Sequence, residues 1–219
     1  MAGGLRLKAY GSERRGFNRL LLLVLAMMMP VRPAAADPVK ILALGDSLTA
    51  GLGLALDDSF PTRLQAALLK DGHDVSVING GVSGDTSAGG LARLDWALAD
   101  HPALALVELG ANDALRGISP AVTRRNLEQI LAKLTAAGVK PILLGMKAPG
   151  NWGIGYATDF DKIYPDLAAQ YKIPLYPFFL DGVALDPKYT QPDGMHPNPQ
   201  GVGVIVGHVL PVVERALAP

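Results

Sequence analysis

Cysteine is absent from the 219-residue chain. That excludes disulfide staples, thiolate metal sites and a lipid-bearing N-terminal cysteine. Net charge is absent too, because 20 Lys and Arg balance 20 Asp and Glu. A neutral chain offers no electrostatic footprint for nucleic acid. Aromatic residues are scarce at 6%, and imidazole chemistry has only 4 histidines to choose from. Long apolar runs are also missing. The longest near the start, residues 20–29, is about half of the ~20 residues a membrane span needs. Apolar residues nevertheless make up 49% of the chain, which is enough for one well-filled domain.

The first segment reads as a targeting signal rather than as fold. Arg6, Lys8, Arg14, Arg15 and Arg19 form a basic start, residues 20–29 an apolar centre, and Ala34-Ala35-Ala36 a small-residue cleavage site before Asp37. This is the plan of a secretory signal peptide. Arg14-Arg15-Gly16-Phe17 is similar to a twin-arginine signal, but Glu13 and the Leu-rich centre suit general secretion better. The expectation is a signal peptide over 1–36, an exported (periplasmic or secreted) catalytic domain over 37–219, and no membrane span after signal removal. A lack of disulfides does not conflict with export.

Beyond residue 38 short apolar runs alternate with helical patterns. Strands are expected at 39–44, 75–78, 104–109, 141–146 and 173–176. Helices are expected at 60–70, 86–98, 120–137, around 165–171, and at 202–217, where Pro211 should kink or break the helix. Ser119, Pro120 and Gly138 supply the start and stop signals of the fourth-strand crossover. Strands apolar on both faces, alternating with helices, imply a mostly parallel five-stranded sheet in an α/β/α three-layer sandwich. Ligands of such sheets bind at the carboxyl ends of the strands.

The chemistry-bearing residues follow strands. Gly45-Asp46-Ser47 ends the first strand and puts a hydroxyl at that edge. A serine needs a neighbouring base to act as nucleophile, and alone it is equally a strand-ending turn or helix cap. Of the histidines, His73 and His101 sit in turns and His208 lies within the last helix. His196 lies in Asp193-Gly194-Met195-His196-Pro197-Asn198. The three-residue spacing lets the Asp193 carboxylate meet the imidazole Nδ1–H, fixing the tautomer and stabilising the imidazolium. Gly84, in a Gly-rich loop that opens a helix, and Asn112, after the third strand, can offer N–H donors to a developing oxyanion. Each piece has a bland reading as a turn. Their arrival together, in this order along one sheet edge, does not.

Gly45-Asp46-Ser47-Leu48, Gly84, Gly110-x-Asn112-Asp113 and Asp193-x-x-His196-Pro197 resemble the four signature blocks of the SGNH (GDSL) hydrolases. Ser83-Gly84-Asp85-Thr86-Ser87, Val107-Glu108-Leu109-Gly110-Ala111-Asn112-Asp113, Leu115-Arg116-Gly117, Tyr164-Pro165 and Pro177-Phe178-Phe179 are similar to the periplasmic acyl-CoA thioesterase, lysophospholipase and arylesterase branch. Ala111 stands where that branch usually has Gly. The resemblance implies a flavodoxin-like strand order. It implies Ser47 as nucleophile, His196 as general base then acid, and Asp193 as its orienting acid. It places the oxyanion on the Ser47 N–H, the Gly84 N–H and the Asn112 side chain. It gives the shaping of an acyl pocket to residues 114–120 and 147–157, with Leu115, Pro149 and Trp152 as candidate lining residues. Asp46 reads as structural. No metal or organic cofactor is implied, the partner is a small acyl ester or thioester, and the state is monomer or weak homo-oligomer. The activity expected is serine esterase, arylesterase or thioesterase, with lysophospholipids also in range. A carbohydrate O-deacetylase with a short polar pocket, and a non-catalytic ligand-binding module, remain as alternatives on the same fold.

Overall fold

The computed structural model describes residues 37–218, together with Met1, Gly3 and Gly4. The expected targeting segment otherwise lies outside the described residues. The fold occupies the unit Pro38–Pro219.

The sheet is built from β1 (Val39–Gly45), β2 (Val75–Gly81), β3 (Leu104–Glu108), β4 (Lys140–Leu144) and β5 (Leu175–Tyr176). Its order is β2-β1-β3-β4-β5, and every pairing is parallel. This is the flavodoxin-like order expected from the sequence. Ile41 to Leu44 and all five residues of β3 are buried, as central strands covered on both faces require. Truncating such a residue, for example Leu106→Ala at 0% exposure, costs about 2–5 kcal/mol because the cavity adds to the lost transfer energy.

The helices are α1 (Ser47–Ala50), α2 (Phe60–Lys70), α3 (Ser87–Ala92), α4 (Leu94–Ala97), α5 (Ala111–Leu115), α6 (Pro120–Ala136), α7 (Ile154–Asp161), α8 (Ile163–Tyr171) and α9 (Pro199–Leu217). Helix α2 carries the chain outward from β1 to β2. The crossovers to β3, β4 and β5 run the other way, so right-handed connections put α3, α6 and α8 on the opposite face. Helix α9 packs beside α2. Among the described residues α9 is long and apolar enough to cross a membrane, by length and composition. Val202, Ile205, Val206, Val209, Val212 and Val213 form its buried stripe, which is the pattern of a core helix.

Three expectations need correction. The helix expected over 86–98 is broken into α3, α4 and a 3-10 turn at Leu98–Asp100. Gly89 and Gly90 weaken it, and Gly90 is needed there: a Cβ would stand 2.3 Å from Leu109 Cδ1. Pro211 does not break α9, which runs through it. Both Pro211 and Gly207, whose carbonyl loses its helical donor, are exposed. Water can therefore serve that carbonyl while the buried stripe holds the helix together. Finally, the stretch 147–157, for which no helix was expected, turns helical from Ile154 onward.

Candidate active site

Strand β1 ends at Gly45, a position where a side chain would not fit. A Cβ there would lie 2.1 Å from Thr49 Oγ1 and 2.6 Å from Glu108 Oε2. Asp46 then caps α1, its Oδ1 accepting from Leu48 N at 3.0 Å, and Ser47 is the first residue of that short helix. Gly81, at the end of β2, lets α1 lie directly on the strand; a Cβ would stand 2.2 Å from Ala50 N. The result is a serine held at the carboxyl edge of the sheet with little freedom, 9% exposed.

Ser47 Oγ lies 2.9 Å from His196 Nε2. His196 Nδ1 lies 2.6 Å from Asp193 Oδ2. An ionised carboxylate only accepts, so Nδ1 carries the proton and Nε2 is left to accept from the serine hydroxyl. Asp193 is ionised well into acid. Its Oδ1 accepts from Met195 N at 2.9 Å and His196 N at 3.0 Å, and these bonds with that of the imidazole pull its pKa down to about 2.

The segment that carries His196 has almost no regular structure and is stitched by hydrogen bonds. Gln191 N donates to His196 O at 2.7 Å. The Gln191 side chain donates to Pro197 O at 3.0 Å and, in a distant segment, to Leu52 O at 2.7 Å. Gly53 leaves room for it, since a Cβ would stand 2.3 Å from Gln191 Oε1. Asn198 donates to Lys188 O and Thr190 O and caps α9 with its carbonyl oxygen. Gln191 was not among the residues singled out in the sequence. A glutamine before a proline carries no signal of a partner 139 positions away.

Asn112 opens α5 after Gly110, whose φ is 117° and whose missing Cβ makes room for Tyr164 Oη. The Asn112 amide Nδ2 donates to Asp46 Oδ2 at 3.0 Å, beside the serine. Asp113, fully buried, fixes this helix by accepting from Ser87 N at 2.7 Å, Ser87 Oγ at 2.5 Å and Thr123 Oγ1 at 3.0 Å. Gly84, with φ 84°, is exposed on the loop after β2. Its carbonyl accepts from Arg116 at 2.9 Å, and the next residue, Asp85, pairs with Arg93, which also donates to Gly45 O. The Gly84 loop is thus tied to both the α5 segment and the end of β1.

Two acids lie beneath the serine. Burial raises the Asp46 pKa to about 6, against the lowering effect of Leu48, Asn112 and His196. Burial and then the Asp46 charge push Glu108 well above the usual carboxylate range. Glu108 Oε2 accepts from Thr49 Oγ1 at 2.7 Å and from Asp46 N at 3.3 Å.

The two loop stretches meet at Trp152. Its Nε1 donates to Ala114 O at 2.8 Å, and its ring occupies the space a Gly117 side chain would need. Tyr156 Oη donates to Ile118 O at 2.8 Å. Trp152, Tyr156, Phe160 and Tyr164 form a continuous aromatic ladder that ends where Tyr164 Oη donates to Leu109 O at 2.9 Å. Leu115 and Trp152 are about half exposed. Pro149 is partly buried at the start of the 3-10 turn Gly150–Trp152.

The chain matches the model of the GDSL-like Lipase/Acylhydrolase family over residues 43–204. It is similar to an arylesterase of Vibrio mimicus, with 43% identity over 83% of this chain and 90% of that protein. It is 44% identical, over 83% of this chain and 86% of the other, to a protein of Escherichia coli (strain K12) named thioesterase 1/protease 1/lysophospholipase L1. Among solved structures it resembles the SGNH-hydrolase family esterase AlinE4, with a TM-score of 0.70 and 46% identity, covering 85% of this chain and 100% of that one.

Proposed function

The chain belongs to the GDSL-like Lipase/Acylhydrolase family and is a serine hydrolase of esters, and on that premise we propose that Ser47, His196 and Asp193 carry its chemistry. The observation that supports this is the continuous chain from Ser47 Oγ to His196 Nε2 at 2.9 Å and from His196 Nδ1 to Asp193 Oδ2 at 2.6 Å.

In this reading Ser47 Oγ attacks the acyl carbonyl carbon while its proton passes to His196 Nε2. The carbonyl oxygen becomes an oxyanion, which the N–H groups of Ser47 and Gly84 and the second N–H of Asn112 receive. Asp193 stabilises the imidazolium without taking its proton. The tetrahedral intermediate collapses, the ester C–O (or thioester C–S) bond breaks, and Nε2 protonates the leaving alcohol or thiol. Water then attacks the acyl-Ser47 carbonyl, again losing a proton to Nε2. That proton returns to Oγ as the carboxylic acid leaves.

Small acyl esters are the substrate class, extended here to aryl esters, acyl thioesters and lysophospholipids. The half-exposed apolar side chains of Leu115 and Trp152, if they line the acyl pocket, suit an acyl chain better than a sugar. Labelling with a fluorophosphonate tests the mechanism: the intact protein should be labelled and Ser47→Ala should not. Equal labelling of both would overturn it. A panel of p-nitrophenyl esters and acyl thioesters from acetyl to long chains tests the substrate. Activity should persist at medium chain lengths, and a collapse beyond acetyl would instead favour a carbohydrate O-deacetylase. The basic and apolar pattern of 1–36 supports export; N-terminal sequencing of the exported protein should then begin at Asp37, and a start at Met1 would overturn the assignment.

A further inference from the structure

Asp46 is buried completely, and each of its carboxylate oxygens has one donor. Oδ1 takes Leu48 N at 3.0 Å and Oδ2 takes Asn112 Nδ2 at 3.0 Å. A helix N-cap alone does not need this. Ser, Thr or Asn caps as well, and none of them puts a charge in a dry place, which is costly. The contact to Asn112 does need it. A primary amide has two ends of nearly equal shape and opposite polarity. Turned over, Asn112 would present an oxygen instead of an N–H to a developing oxyanion. An ionised carboxylate can only accept, so it selects one of the two orientations. It binds one Nδ2 hydrogen and leaves the other directed away from itself.

We propose that Asp46 is a positioning residue that sets the amide orientation of Asn112 and thereby the polarity of the oxyanion site; this rests on the reading of that site above. The groups around it fit the task. Glu108 lies beneath with Thr49 as donor, and being pushed toward its neutral form it spares Asp46 a second negative charge. Arg93 approaches from α3 but is committed to Asp85 and Gly45 O. When protonated, His196 favours the ionised form of Asp46. The pKa of about 6 leaves Asp46 ionised at neutral pH despite its burial.

A double-mutant cycle between Asp46→Asn and Asn112→Ala tests this, read in kcat and KM on a p-nitrophenyl ester. The side chain of Asp46→Asn keeps one accepting oxygen, so it cannot serve both Leu48 N and Asn112. Asp46→Asn should lower kcat about 10- to 100-fold, up to the scale of losing one oxyanion donor. KM should stay within about twofold, since the lost interaction belongs to the transition state. In the Asn112→Ala background the same change should cost less than about threefold. Multiplying effects, or a kcat loss under about twofold in Asp46→Asn, would overturn the inference. If Asn112→Ala itself leaves kcat unchanged, the oxyanion reading fails instead. If Asp46→Asn does not fold, Asp46→Ser repeats the cycle, because it keeps a cap for Leu48 but is too short for Asn112. Failure of both variants to fold would assign Asp46 to the fold and overturn its positioning role.

Discussion

Two aspartates serve the pair Ser47 and His196, and the protein holds them in opposite ways. Asp46 sits at the end of β1 under the serine, fully buried, and burial raises its pKa to about 6. Asp193 sits in an open turn, 41% exposed, and local N–H donors lower its pKa to about 2. The region around Asp46 is built from strand ends and helix starts packed on one another. The region around Asp193, residues 177–198, consists of turns tied together by Gln191 and Asn198. Packing places a group firmly but penalises its charge, whereas a turn rich in N–H donors favours the charge but needs hydrogen bonds to hold its position. A nucleophile's platform has to be rigid. The acid behind a histidine has to stay ionised.

Breaking either side at its tip should have the largest effect. Ser47→Ala and His196→Ala should each lower kcat on the order of 10⁶-fold, and the double variant no further, because the two act as one unit. Additive losses in steady-state kinetics would show that they act separately. Next comes the acid in the open turn. Asp193→Asn should lower kcat by about 10⁴-fold while the protein stays folded, since it loses the tautomer control rather than any packing. On the packed side, Asn112→Ala should lower kcat by about 10² to 10³-fold, the scale of one oxyanion donor. A change of under threefold would leave Asn112 with a structural role only.

The smallest effect separates the two aspartates most cleanly, in melting temperature against pH. The Asp193 pKa is depressed from 3.8 to about 2. The folded form therefore binds fewer protons than the unfolded one in that window. Its stabilisation is present above about pH 4 and is lost as pH falls through about 2. The Asp46 pKa is raised from 3.8 to about 6, so the sign reverses. Its contribution is most favourable below about pH 4 and declines as pH rises toward 6. Asp193→Asn should flatten the melting curve between about pH 2 and 4, and Asp46→Asn between about pH 4 and 6. Identical profiles for the two variants would mean that both aspartates share one electrostatic environment.

Much of this was legible locally. The buried runs of β1 and β3, the Gly45-Asp46-Ser47 stop, and the Asp193-x-x-His196 spacing all rest on contacts within a few residues. One misreading has a local cause too. The helix α7 was hidden by Gly150, Gly153 and Gly155, although Trp152, Tyr156, Phe160 and Tyr164 recur every four residues, and that period was the available signal. In α3, by contrast, Gly90 is required by a partner distant in sequence, since a side chain there would run into Leu109 just past β3.

The sequence by itself determined the strands and the long helices, and which residue types arrive at the strand ends, because periodicity and turn chemistry act over a few positions. Only the tertiary structure decided who meets whom. It brought Ser47 to a histidine 149 positions away, set Asn112 against Asp46 across 66, and tied the His196 turn to Leu52 through Gln191. Those contacts exist because a parallel sheet gathers the carboxyl ends of distant strands on one edge. Side-chain hydrogen bonds there have direction but leave no repeating trace along the chain.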